Sequence, residues 1–171
     1  MDALYKLLKD ISALERAPRT VKGDYPAPRS PYKPILLLIA LSRIHKGIES
    51  YASNRIEFEH CLKDFGNLYS RLFGSSSEMA ARASQAFWYL GAGKPKVWEL
   101  VPKPGMEEEL KALIEARVQI KTAVKLNKLV AFARFPLGYW NLLTDSDVQR
   151  ALISFLIAEH FADVRRELEF L

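Results

Sequence analysis

Cysteine is almost absent from this chain: Cys61 is the only one among 171 residues. A lone thiol excludes an intramolecular disulfide framework and fits a reducing compartment. It reads as a small buried hydrophobe in a helix near 59–65. Histidine is scarce too. His45, His60 and His160 fall on three separate predicted helices, with no His-Glu-x-x-His or Cys-x-x-Cys pattern, so neither metal nor cofactor is expected. The eight glycines make no Gly-x-x-x-x-Gly-Lys phosphate loop and no Gly-x-Ser-x-Gly elbow. Glu57 and Glu59 flank Phe58 and would share a strand face, where solvation or pairing with Arg55 suits them better than catalysis. No apolar run approaches the roughly 20 residues of a membrane span, and the start Met1-Asp-Ala-Leu-Tyr-Lys lacks a secretory pattern. The expectation is a cytoplasmic, non-enzymatic chain forming a single domain over 1–171, with about half its residues apolar and a core to match.

Positive charge is present, and it is unevenly distributed. The net charge of +5 and pI near 9.3 permit a nucleic-acid partner without requiring one. Arg16, Arg19, Lys22, Arg29 and Lys33 gather in a proline-rich stretch that only Asp24 opposes. Lys94, Lys96 and Lys103 make a second cluster. Arg117, Lys121, Lys125 and Lys128 make a third, spaced as one stripe on a helix. The first cluster runs into the apolar segment Pro34-Ile-Leu-Leu-Leu-Ile-Ala-Leu41. Pro34 has φ preset for a first helical turn, which puts Tyr32 and Lys33 just outside a helix N-terminus, where anions collect.

The remaining pattern is mostly helical. Leu4, Leu7, Leu8, Ile11 and Leu14 recur at helical spacing over 3–16. Prolines forbid regular structure until Pro34, and Gly47 closes the helix it opens. A short strand at 54–58 leads into a helix over 59–73, and Gly74 to Ser77 turn into a short helix over 78–84. The aromatic runs 86–90 and 97–100, separated by a basic loop with glycines at 91–96, predict a β-hairpin. Its strand alternation should turn one aromatic near Trp88 outward. That order of elements is winged-helix-like, with the hairpin as wing. A long helical stretch over 106–132, breaking near Asn127, and a last helix capped by Asp145 or Ser146 add helices after it. The fold class is therefore mainly α with a small β-hairpin, a winged-helix-like core and additional C-terminal helices.

Three segments taken in order, Pro31-Tyr-Lys-Pro-Ile-Leu-Leu-Leu-Ile-Ala-Leu41, then Phe87-Trp-Tyr-Leu90 with Trp98-Glu-Leu100, then Asn141-Leu-Leu-Thr-Asp-Ser-Asp-Val-Gln-Arg150, resemble a known family. It is the sulfur-binding N-terminal domain of bacterial HNH-type restriction endonucleases, which reads phosphorothioate-modified DNA. The resemblance spans about 29–161. It implies a module for double-stranded, phosphorothioate-bearing DNA in modification-dependent restriction and phage defence, the sulfur entering a shallow apolar pocket with a cationic rim. Tyr32 and Lys33 stand where the family carries His and Arg or Lys. Gln85 and Ala86 stand where it carries a Tyr-Pro pair, and the missing proline removes a rigid apolar wall. The implied site also takes in Arg29, Tyr89, the loop lysines Lys94 and Lys96, and a later arginine, Arg117, with Lys111 as the other candidate. The family's HNH nuclease half has no counterpart over 1–171, so binding without cleavage is expected, and a homodimer is left open. Two rival readings stand beside this one: a winged-helix domain for unmodified or otherwise modified DNA, and a protein-interaction scaffold whose aromatics are simply core.

Overall fold

In the computed structural model, residues 2–14, 32–74 and 77–168 are described. The organising element is α2, Tyr32–His45. Its consecutive Ile and Leu side chains leave no polar face, so the helix must be enclosed on all sides. Every residue from Ile35 to Leu41 is at most 3% exposed. The helices α4 (Phe58–Phe73), α5 (Met79–Ala92) and α9 (Ser146–His160) pack round it, and α1 (Ala3–Ala13) closes the far side against α9 and α8 (Leu137–Leu143).

Local chemistry sets most boundaries. The Asp2 side chain accepts the Leu4 N–H at 3.1 Å to open α1. Asp145 accepts the N–H groups of Asp147 and Val148 at 2.8 and 3.2 Å to open α9, as expected of an N-cap. Gly47, at φ 71°, ends α2 with the Ile48 N–H donating to the Arg43 carbonyl at 3.1 Å. That left-handed turn suits glycine. After the single turn α3 (Glu49–Ala52), α4 buries Phe58, Cys61, Phe65, Leu68 and Tyr69 along one stripe.

The class is as expected, mainly α with a small antiparallel strand pair, but different strands make the pair. Residues 86–90 lie inside α5, and β1 (Glu99–Pro102) pairs with β2 (Val130–Arg134), with Glu99 opposite Arg134 and Leu100 opposite Ala133. Helical period wins because Ala83, Ala86, Phe87 and Leu90 form one buried stripe on α5. Strand propensity of aromatics yields readily to such packing. Residues 91–96 thus join a helix to a strand and are no wing tip. Ile56, from the expected short strand, adds one bridge to Ala133. Asn54 clamps that edge by exchanging side-chain hydrogen bonds with the backbone of Phe135 at 2.7 and 3.0 Å.

The expected long helix over 106–132 is also divided. It becomes α6 (Glu107–Glu115), an extended link, α7 (Ala123–Leu129) and β2. Arg117 ends α6 in the left-handed region at φ 55°, and Thr122 restarts the helix by accepting the Lys125 N–H at 3.2 Å. The four basic residues of the third cluster therefore share no single helix.

Candidate nucleic-acid interface

The site grows from the contact between the start of α2 and the outer face of α5. Tyr32 and Lys33 fall within the first turn of α2 rather than before it, and Tyr32 is buried. Its ring lies 5.8 Å from Tyr69 and 6.4 Å from Phe65. The Arg82 guanidinium sits 5.1 Å above it. Next to this pair, the Lys33 ammonium stands 5.5 Å from the centre of the Tyr89 ring. Arg82, Gln85 and Tyr89 are three and seven residues apart and so share one helix face, along which the beginning of α2 lies. Cation–ring contacts of this kind contribute roughly 0.5–2 kcal/mol, more as water is excluded. Arg82 is further held by Glu78 at 2.7 Å.

Beyond Tyr89 a cleft of about 420 Å³ opens, lined chiefly by Trp88, Tyr89, Lys94, Ile114, Arg117 and Val118. Its walls are the end of α5 and the turn after α6. Two glycines permit this geometry. A Cβ on Gly91 would come within 2.4 Å of Leu100 Cγ, and one on Gly93 within 2.7 Å of the Tyr89 carbonyl oxygen. The loop that follows is pinned by Val97 and Trp98 N–H groups donating to the Leu90 carbonyl and by the Trp98 indole donating to Phe87 at 3.1 Å. Lys94 and Lys96 are left exposed on it, with a cis peptide at Lys94-Pro95. Opposite, the Val118 N–H donates to the Leu113 carbonyl at 3.0 Å and the Arg117 N–H to Ile114 at 3.1 Å. This is a left-handed helix end at which glycine is usual. Here the position carries an exposed guanidinium with no ion-pair partner among the described residues. Glu115 adds one carboxylate to the same rim. Burial raises the Tyr89 hydroxyl above its ordinary pKa, so it stays a neutral donor at physiological pH.

Of the residues singled out from sequence, the fold thus brings Tyr89, Lys94 and Arg117 around one cleft and sets Lys33 against Tyr89. Gln85 is half-buried one turn before Tyr89. Ala86 is 2% exposed and turns into the core, so the surface there belongs to Gln85 and Tyr89, and Ala86 is no facing wall. Lys96 and Lys111 are exposed but do not line the cleft. Arg29 lies outside the described residues. The outward aromatic expected near Trp88 is Tyr89, while Trp88 itself is 1% exposed. Arg82 escaped sequence reasoning, and its signal, the 82, 85, 89 spacing, emerges only once 79–92 is read as one helix.

The histidines stay apart. His45 meets Gln149 at 2.9 Å, His60 meets Ser50 at 3.3 Å, and His160 contacts the Ile11 carbonyl at 2.7 Å. No group of three or more potential metal ligands forms among the described residues. No helix among them is long and apolar enough to cross a membrane.

The family model of the ScoMcrA-like DNA sulfur-binding domain matches residues 5–169, nearly the whole chain. The chain belongs to this DNA sulfur-binding family. Among curated proteins none matches it significantly. A DNA sulfur-binding domain is a binding module for phosphorothioate DNA and not a catalytic one.

Proposed function

We propose that residues 1–171 act as one domain that docks on phosphorothioate-bearing duplex DNA through the cleft between α5 and the α6 end. The modified phosphate lies between Lys94 and Arg117 with Lys33 close by, and its sulfur turns inward onto Tyr89, Ile114 and Val118. The observation that carries this reading is an apolar cleft lined by two cations, Lys94 and Arg117, and one carboxylate, with Lys33 beside it against the Tyr89 ring. A phosphorothioate keeps the charge of a phosphate but presents a larger, softer, less hydrated atom. Burying roughly 30 Å² of it at about 25 cal/mol per Å² contributes somewhat under 1 kcal/mol. That corresponds to about a three- to fourfold preference from area alone, before the lower desolvation cost of sulfur is counted. Charge neutralisation along the backbone supplies the bulk of affinity and makes it fall with salt. Phosphate contacts set position, and base preference would come from side chains that reach groove edges.

The test is a titration of matched duplexes, with and without one phosphorothioate, at two salt concentrations. Several-fold tighter binding of the modified duplex is expected, with both affinities falling as salt rises. Equal affinities would overturn the sulfur assignment. Lys33→Ala should weaken both complexes and lower the salt slope by about one; an unchanged slope would place Lys33 off the interface.

A further inference from the structure

From 116 to 144 the chain contains no aspartate or glutamate, while Arg117, Lys121, Lys125, Lys128 and Arg134 fall within it. Arg134 is answered by Glu99 at 3.1 Å. Lys121, Lys125 and Lys128 are exposed and make no ion pair among the described residues. Ile120, Leu126 and Leu129 are at most 1% exposed and anchor α7, which packs on α5, the helix that carries Tyr89. That anchoring turns positions 121, 124, 125 and 128 outward together. Val124, in the middle of the three lysines, is 83% exposed. Only three residues, Val118 to Ile120, separate Arg117 at the cleft from Lys121, a span of at most about 14 Å.

We infer that α7 is a second DNA-contacting ridge, which follows the phosphates flanking the one held in the cleft and sets affinity without reading sulfur. The inference rests on the cleft reading for its register but not for its partner, which is the duplex backbone. Seven residues at 1.5 Å each give a ridge of about 10 Å. A duplex carries one charge per roughly 1.7 Å of its axis, so such a ridge faces several phosphates. The segment from 116 to 144 adds no acid of its own along that path, and the one carboxylate seen against α7, Glu59, accepts a hydrogen bond from Asn127 at 2.7 Å. Val124 packs on the sugar edge between the phosphates that the lysines hold, which accounts for an apolar side chain left in the open among them.

The test is the triple variant K121Q/K125Q/K128Q in the full chain, titrated against both duplexes over a series of salt concentrations. Removing three phosphate contacts should lower the salt slope by about 2.7 and weaken binding on the order of a hundredfold near 0.1 M salt. The ratio between modified and plain duplex should stay constant. Lys46→Gln is the control. It lies just past the other end of the 14-residue α2, about 21 Å from Lys33, and should leave the slope unchanged. An unaltered slope in the triple variant overturns the ridge. So does an equal loss per charge in the control, because the effect would then be one of net charge. A wild-type protein that ignores sulfur, combined with a triple variant whose slope falls as stated, would sink the cleft assignment and uphold the ridge. Unchanged thermal melting of the triple variant excludes a folding artefact.

Discussion

Arg117 is expected to hold its place at the expense of stability, and replacing it with glycine should separate the two effects. Its φ of 55° lies in the left-handed region, which costs a residue with a Cβ about 1–2 kcal/mol. Glycine removes that strain but gains freedom in the unfolded chain, an offset of roughly 0.5–1 kcal/mol. The net gain for Arg117→Gly is therefore about 0.5–1 kcal/mol. In a domain of this size that raises Tm by about 1–4 °C. Arg117→Ala keeps the strain, so it should melt near the wild-type temperature. Both variants lose the guanidinium at the cleft and should bind duplex DNA more weakly, with the salt slope reduced by about 0.9. Calorimetric melting and a salt-dependent titration of the three proteins provide the comparison. If the glycine variant is no more stable than the alanine variant, the backbone is not strained there. If both bind as tightly as wild type, Arg117 does not face DNA.

Other perturbations test neighbouring features. Glu115→Gln removes the carboxylate from the cleft rim and should tighten binding to either duplex a few-fold; weaker binding would mean that Glu115 orients a cation instead. Gly91→Ala forces a Cβ to 2.4 Å from Leu100 Cγ, an overpacking that should cost about 1–3 kcal/mol in urea unfolding, and Leu100→Ala in the same chain should recover part of it. Burial pushes the Cys61 thiol from its ordinary 9.0 up to about 12, reinforced by Asp64 and opposed by the Tyr51 hydrogen bond. The unfolded chain then releases a proton near pH 9 that the folded chain retains, so this contribution is complete below pH 9 and lost as pH rises towards 12. Urea midpoints measured across that range should decline less steeply in Cys61→Ala; an identical decline would assign the alkaline loss to the buried tyrosines.

Much of the helical frame was legible because its signals are local. The unbroken apolar run of α2, the stripe on α4 and the Asp145 cap each act within a turn or two of the chain. The strand pair was not legible, since Glu99 meets Arg134 only through long-range packing, and the aromatic run at 86–90 carries the composition of a strand while being used in a helix. Lys33, Tyr89, Lys94 and Arg117 were each visible as cationic or aromatic candidates. Their gathering was not, because it depends on where α6 stops. Thr122, a good helix-starting residue after the β-branched Val118 and Ile120, was the available clue to that break. Ala86 follows the hairpin: as the first residue of a strand it would begin the facing wall, and within α5 it is 2% exposed and turned into the core.

The pairing of β1 with β2 bears on how much change such a chain tolerates. Lys103 donates its N–H to the Leu129 carbonyl at 2.9 Å, so the chain leaves the core and returns to it at almost one point. Everything between, including α6, Arg117 and the lysines of α7, is a closed excursion. Its attachment to the rest relies on a few buried side chains, Leu110, Ile120, Leu126 and Leu129. Doubling the length of such a loop costs only about 0.6 kcal/mol in closure entropy. The excursion is thus the part of the chain that can be lengthened or recharged at small cost in closure entropy, while the enclosed α2 and its neighbours hold the fold.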